Sequence, residues 1–149
     1  MPRVLLLAIL PALLAAPVIG QDAADGAALF NENCAACHQP GGVGEPGLAP
    51  PLVDAALWQG LGDAAPAYLG GVMLGGLSGT IEAGGQSYFG LVMPPQDWLS
   101  DAELAAIGDY VLAELNGRPA GLEEAELAAI RGAVPSHKAL RDLRKTALP

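Results

Sequence analysis

The sequence predicts an all-α fold with a short helical C-terminal extension, and three observations support this class. The segment from Asp101 to Leu115 places its apolar residues at the helical period. The segments between the candidate helices are rich in Gly and Pro, which favour turns. Aromatic residues make up only 5% of the chain, so bulky side chains are scarce for a core of this size. An apolar group that is not protein could supply the missing volume.

Residues 1–20 have the anatomy of a secretory signal peptide. A basic start at residues 1–3 precedes an uncharged apolar run over residues 4–19, and small residues follow. The alternative is an uncleaved anchor, but a run interrupted by Pro11 and Pro17 is shorter than the ~20 residues of a spanning helix. We therefore expect cleavage near the end of this segment, a periplasmic location, and no membrane insertion of the mature chain.

The mature chain divides into a main domain over residues 21–117 and a helical extension over residues 118–149. Short elements joined by turns are predicted for the first part of the domain: a helix from Asp22 to Cys37, an irregular segment over 39–51, a turn of helix over 52–58, a helix from Ala65 to Leu74 ended by Gly75-Gly76, and a hairpin-like turn around Gly84-Gly85.

The clearest helix begins at Ser100. Ser100 is a good N-cap residue, and Glu103 three positions later completes a capping box. Asn116-Gly117 tolerates the left-handed conformation that ends a helix. In the extension, helices are predicted over 123–131 and 136–145.

The charge distribution is uneven. From residue 21 onward there are 16 acidic and 6 basic side chains, a net charge of −10, and the segment 21–117 has no Lys or Arg. Such a surface repels nucleic acids and anionic membranes. It favours a redox partner with a basic docking surface and an association rate that falls with salt. The alternative, acidity that only maintains solubility, explains the absence of bases less well.

The motif Cys34-Ala35-Ala36-Cys37-His38 contains both cysteines of the chain. On a helix the side chains of Cys34, Cys37 and His38 project from one face. Each thiol can add to one vinyl group of a haem, and His38 can then bind the iron, because C-x-x-C-H is the attachment signal for c-type haem. The sequence therefore predicts one covalently attached haem c with its iron.

Three other interpretations of the cysteine pair are possible. A zinc site needs two more nitrogen or sulfur ligands, and the chain offers only His137. A thioredoxin-like dithiol expects a βαβ context, which is not visible. A disulfide is permitted in an exported protein but would close too small a loop to stabilise much.

Two methionines compete for the sixth position of the iron. Met73 lies within a predicted helix, where Met more often fills the core. Met93 lies in an irregular segment stiffened by Pro94 and Pro95, which suits a loop that must hold a thioether. We predict Met93 as the ligand and expect His137 to be solvated. A thioether paired with imidazole raises the potential and leaves no free position for O₂.

Together these features resemble a class I monohaem cytochrome c. The resemblance rests on the C-x-x-C-H motif, Pro50-Pro51-Leu52, Met93-Pro94 and a closing amphipathic helix. The stretch GGLSGTIEAGGQSYFGLVMPPQDWLSDAELAAIGDYV resembles small periplasmic cytochromes that serve quinoprotein dehydrogenases or copper nitrite reductases. The resemblance covers residues 24–117 and, more loosely, 122–131.

The resemblance implies roles for several further residues. The Pro50 carbonyl is expected to accept a hydrogen bond from His38 Nδ1, which fixes the tautomer that binds iron through Nε2. Leu52 and Trp98 are expected to pack near the haem, although an ordinary core role is nearly as well supported. Gly26 and Phe30 of the first helix are expected to cross the last core helix near Tyr110.

The function implied is single-electron transfer between periplasmic redox partners, from a dehydrogenase to an oxidase or another cytochrome, and not enzymatic catalysis. The alternative is a haem enzyme or gas sensor with an open sixth position. A haem-free redox module that uses the cysteine pair is another rival. A dedicated dehydrogenase subunit that docks through the basic extension is a further possibility, as is an extension that only covers the domain surface.

Overall fold

The computed structural model describes residues 25–90, 92–119 and 121–148, so the predicted signal peptide lies outside the described residues. Seven α-helices lie within these ranges: α1 Gly26–Asn33, α2 Ala35–His38, α3 Ala55–Leu61, α4 Ala65–Gly75, α5 Asp101–Asp109, α6 Glu124–Gly132 and α7 His137–Ala147. Four short strands occur as well: β1 Leu77–Ser78, β2 Ile81–Ala83, β3 Gln86–Tyr88 and β4 Val92–Met93.

The first predicted helix is wrong in one respect, because it is two helices. Asp25 caps α1 by accepting a hydrogen bond from the Ala28 amide. The backbone then departs from helical geometry at Cys34, where φ is −118°, and α2 follows as a single turn. The backbone amide of His38 still donates to the Cys34 carbonyl at 2.9 Å. The motif is therefore held on one turn behind a bend, and not on a continuous helix.

The all-α prediction holds for the bulk of the chain but omits two small antiparallel ladders. Strands β2 and β3 pair on either side of the hairpin-like turn predicted at Gly84-Gly85, with Ile81 opposite Tyr88. Strands β1 and β4 pair with Leu77 opposite Met93, which no local pattern indicated. Helix α3 starts three residues later than predicted because Asp54 caps it, accepting from the Leu57 amide. The irregular segment after the motif contains a single 3₁₀ turn, Pro40–Gly42.

Helices α1 and α5 cross at close range, as predicted. A Cβ at Gly26 would collide with the Ala106 carbonyl, so only glycine permits this approach. The rings of Phe30 and Tyr110 lie beside the crossing, with centroids 5.3 Å apart. The predicted capping box is also confirmed: Ser100 accepts from the Glu103 amide, and the Glu103 carboxylate accepts from the Ser100 amide. The helix continues beyond α5 as a π-helical turn, Tyr110–Glu114.

The extension shares the hydrophobic core of the domain. Leu122, Leu127 and Leu140 are almost completely buried and belong to the same cluster as the side chains of α1, α4 and α5. Helix α6 packs on α4 and α5, and α7 packs on α3 and α4. In the described part of the chain, no helix combines the length and hydropathy needed to cross a bilayer.

Candidate functional site

A cavity of about 340 Å³ opens between the motif, the Met93 strand and the helices α3 and α4. Its walls are mostly apolar, with contributions from Leu57, Leu69 and Val72. All seven site residues predicted from the sequence line this cavity: Cys34, Cys37, His38, Pro50, Leu52, Met93 and Trp98. The fold therefore brings to one cavity side chains that are as much as 64 positions apart in the chain.

The two cysteines lie on the cavity wall as free thiols, Cys34 half-buried and Cys37 exposed. Burial, and secondarily the neighbouring Cys37, raises the pKa of the Cys34 thiol to about 11. Both effects disfavour the thiolate, because the charged form would lose hydration and repel a second thiolate. Cys34 is therefore a neutral thiol at neutral pH, unlike the activated cysteine of a thiol oxidoreductase, whose pKa is depressed.

His38 is buried and oriented by one hydrogen bond. Its Nδ1 lies 3.0 Å from the Pro50 carbonyl oxygen. Because a carbonyl only accepts, Nδ1 must carry the proton, and Nε2 keeps its lone pair. Burial lowers the pKa of the imidazole, and the hydrogen bond to Pro50 only partly opposes this. The neutral tautomer that results is the form that binds a metal through Nε2.

Met93 lines the cavity, and backbone contacts fix both this residue and the segment that follows it. Met93 pairs with Leu77 in the β1–β4 ladder, and the backbone amide of Gln96 donates to the Met73 carbonyl at 2.7 Å. Gly76 permits this arrangement: its φ is +69°, and a Cβ there would meet the Met93 carbonyl. Met73 itself is 4% exposed within α4 and belongs to the core, as the helical pattern predicted.

Leu52 and Trp98 differ in burial. Leu52 is half-buried, and its carbonyl oxygen accepts from the Trp58 indole at 2.8 Å and from the Asn116 amide at 2.9 Å. The core alternative is wrong for Trp98, because its side chain is 63% exposed at the edge of the cavity. Trp98 lies in an irregular segment, so no helical periodicity in the sequence could predict whether its side chain is buried or exposed.

Several lining residues escaped the sequence reasoning. Trp58, Tyr68 and Tyr88 are buried aromatic side chains of the wall. Gln96 is 7% exposed, and its Oε1 has no hydrogen-bond partner among the described residues. Arg144 reaches the cavity from α7. The position of Gln96 close to Met93-Pro94 in the sequence could have indicated that it lines the site. No feature of the sequence indicates this for Arg144.

His137 is not solvated as predicted. It is half-buried at the start of α7, where Nε2 lies 3.0 Å from the Gly75 carbonyl and Nδ1 lies 2.5 Å from Ser78 Oγ. Both ring nitrogens are therefore occupied by protein atoms, and His137 does not line the cavity. In the described part of the chain no group of three or more His, Cys, Asp or Glu side chains is arranged for a metal ion.

The residues of the cavity fit a covalently bound haem. Two free thiols, a neutral imidazole with a free Nε2 and a thioether line one mostly apolar cavity, and a buried Gln96 oxygen has no partner among the described residues. Thiols form the thioether bonds, while imidazole and thioether are the usual axial ligands of a c-type haem iron. The fold and the site thus define a haem protein of the c type.

Comparison with known proteins agrees with this class. The family model described as cytochrome c matches residues 23–113, and the chain belongs to that family; it is a class I c-type cytochrome whose cofactor is covalently bound haem c. Two relatives named cytochrome c-552, one from Thermus thermophilus and one from a particular strain of that species, are each 40% identical to it over 88 residues. The match spans 59% of this chain and 66% and 58% of those two relatives, in each case less than two thirds of their length.

Proposed function

We propose that the protein is an exported monohaem electron carrier of the periplasm and not an enzyme. The observation that carries this proposal is that His38 and Met93 line the same cavity. These are the two residues suited to occupy both axial positions of the iron. The relatives named cytochrome c-552 are consistent with this function.

In this proposal Cys34 and Cys37 would hold the cofactor covalently, and His38 and Met93 would bind its iron. When bound, the haem supplies a centre that gains and loses one electron. The chain's own contribution is to hold His38 in its neutral tautomer, to fix Met93 in a paired strand, and to exclude water with apolar walls. Pro50 orients His38, while Leu52 and Trp98 flank the cofactor.

The proposed partners are redox proteins with basic docking surfaces. Residues 21–117 have no Lys or Arg, and in the extension all four arginines donate to carbonyl oxygens of the main domain. Four of the six bases of the extension are therefore used to hold it to the main domain, and we do not propose the extension as a docking element. The donor class we propose is a dehydrogenase and the acceptor an oxidase or another cytochrome.

The first experiment measures haem attachment and access to the iron. An alkaline pyridine haemochrome spectrum should be of the c type, with one haem per chain. The ferrous protein should not bind carbon monoxide at neutral pH, because Met93 fills the sixth position. Ready binding of carbon monoxide would instead favour the alternative, a haem enzyme or gas sensor with an open position.

The second experiment compares the two methionines. Met93→Ala should lower the reduction potential by on the order of 100 mV and open the iron to exogenous ligands, since axial ligands set haem potentials over a range of about 0.8 V. Met73→Ala is the matched control, because Met73 is buried in the core away from the cavity wall. It should cost roughly 2–5 kcal/mol of stability and leave the potential nearly unchanged. Equal potentials in wild type and Met93→Ala would refute the ligand assignment.

The third experiment tests the charge of the docking surface with small reagents. A cationic reductant such as hexaammineruthenium(II) should reduce the protein at a rate that falls as salt rises, because the attraction is screened beyond ~10 Å at 0.1 M. An anionic reductant such as ferrocyanide should show the opposite salt dependence. Identical salt dependences for both reagents would contradict an acidic docking surface.

A further inference from the structure

Arg144 lies on α7, outside the residues matched by the family model, yet it lines the cavity. It is only 6% exposed. Among the described lining residues it is the only Lys or Arg, and none of them is Asp or Glu. An apolar cavity with a single fixed positive charge in its wall is a site for an anionic group.

The hydrogen bonds of Arg144 leave part of its guanidinium without a protein partner. Nε and Nη2 both donate to the Glu82 carbonyl oxygen, at 3.3 and 3.0 Å. The nearest carboxylate oxygen, Asp54 Oδ2, is 3.7 Å from Nη2, which is too long for a good hydrogen bond. Nη1 has no acceptor among the described residues, although a guanidinium carries five N–H donors.

One oxygen of the Asp54 carboxylate is engaged elsewhere, and the other forms only a long ion pair with Arg144. Asp54 Oδ1 accepts from the Leu57 amide at 3.1 Å as the N-cap of α3. A buried guanidinium that is only partly compensated is costly, and the cost is offset when a second carboxylate completes its hydrogen bonds. The planar fork of Arg suits a carboxylate better than any other side chain does.

We propose that Arg144 binds a propionate carboxylate of the haem through its free N–H donors. The haem has two carboxylate side chains, and Arg144 is the one positively charged side chain the described cavity wall offers to either of them. The extension thereby supplies a cofactor-binding residue to a domain that has no Lys or Arg of its own. This inference rests on haem occupying the cavity, as in the proposed function.

The rival role for Arg144 is to anchor α7 alone, and Arg141 provides the matched control. Arg141 lies three positions earlier on α7 and donates to the Ser78 carbonyl, but it does not line the cavity. The variants Arg144→Gln, Arg144→Lys and Arg141→Gln are prepared as haem-loaded proteins. Their reduction potentials are measured by spectroelectrochemistry, and their stabilities by thermal unfolding.

Arg144→Gln removes a positive charge that disfavours ferric iron. At a fixed ambient potential the ratio of oxidised to reduced protein should rise about tenfold, which corresponds to 59 mV for a one-electron couple. Arg144→Lys keeps the charge and should change the ratio less than threefold. Arg141→Gln should lower the unfolding temperature without moving the potential. An unchanged ratio in Arg144→Gln, or an equal shift in Arg141→Gln, overturns the proposal.

A measurement on the unmodified protein decides the matter if Arg144→Gln fails to assemble. In the reduced, diamagnetic protein, nuclear Overhauser effects should connect the Arg144 guanidinium protons to the methylene protons of a propionate. Their absence, with both sets of signals assigned, overturns the proposal. Neither result alters the c-type spectrum or the reversible one-electron reduction, so this inference can fail while the proposed function stands.

Discussion

The acidic body, residues 25–117, and the basic extension, residues 118–148, use charge in opposite ways. The body has no Lys or Arg and carries acidic side chains over its surface. The four arginines of the extension donate to main-chain carbonyl oxygens of the body: Arg118 to Trp58 and Gly62, Arg131 to Asp97 and Leu99, Arg141 to Ser78, and Arg144 to Glu82.

The lysines of the extension behave differently from its arginines. Lys138 pairs with Asp142 one turn later on α7, and both side chains are largely exposed. Lys145 is exposed as well. Arginine suits the inward role because its several donors reach carbonyl oxygens at the ends of helices and strands. The arginines of the extension therefore hold it to the acidic body, whereas its two lysines are exposed to solvent.

The largest expected effect tests whether the two regions unfold together. Leu127 in the extension and Leu104 in the body are both 0% exposed. Replacing either by Ala should cost roughly 2–5 kcal/mol, since each leaves a cavity in the same core. Chemical denaturation followed by far-ultraviolet circular dichroism and by haem absorbance should give coincident, shifted transitions in both variants.

Val134→Ala is the control for this comparison, because Val134 is 44% exposed between α6 and α7. It should shift the transition by less than about 0.5 kcal/mol. If Leu127→Ala produced a separate early transition and left the haem-monitored transition in place, the extension would unfold independently of the body. This result would contradict a core shared by the two regions.

A smaller effect is expected from Arg118, the first cation of the extension. Its two Nη atoms donate to the Trp58 and Gly62 carbonyls at 2.7 and 2.9 Å. Arg118→Met keeps the apolar stem and leaves both acceptors unsatisfied, which should cost about 1–3 kcal/mol. Lys145→Met, which removes an exposed charge, is the matched control and should leave the denaturation midpoint almost unchanged. Equal midpoints for the two variants would contradict the inward role of Arg118.

The smallest effect is expected from Glu103, which belongs to the capping box at the N-terminus of α5. Hydrogen bonds from the Ser100 side chain and backbone hold the pKa of Glu103 below its ordinary value of 4.5. Because the pKa of Glu103 is lower in the folded protein than in the unfolded chain, its ionised carboxylate stabilises the fold at any pH above the unfolded-state pKa. This stabilisation is lost as the pH falls through the pKa of the folded protein. Thermal unfolding of wild type and Glu103→Gln should therefore differ at neutral pH and converge in acid.

Glu32→Gln serves as the control for that pH series, since Glu32 is an exposed residue of α1. Its unfolding temperature should track that of wild type at every pH. A constant difference between wild type and Glu103→Gln down to the acid limit would mean that the capping carboxylate is not the source of the effect.

Local chemistry predicted much of this molecule. Residues close together in the sequence determine the capping box at Ser100 and Glu103 and the turn at Gly84-Gly85. Both features occur as predicted. The separation of Met73 from Met93 was also predictable, because one lies in a periodic helix and the other beside two prolines. The ligand role of Met93 stays a prediction, although Met93 lines the same cavity as His38.

Long-range hydrogen bonds were not predictable in the same way. The acceptors of the four arginines are backbone carbonyls, which are chemically identical at every position, so no sequence pattern marks them. The bend at Cys34 and the two-residue ladder of β1 with β4 likewise correspond to no local sequence pattern. His137 was misjudged for this reason: its neighbours in sequence are charged, but its partners are Gly75 and Ser78.

The walls of the cavity come from distant parts of the chain and therefore emerge from the ribosome at different times. The attachment motif at 34–38 is made first, Met93 follows more than fifty residues later, and Arg144 is 110 positions behind Cys34. Since synthesis runs from the N-terminus, Arg144 of α7 joins the wall after every other lining residue has been made. The chain therefore supplies the apolar part of its cavity first and the one arginine of the described wall last.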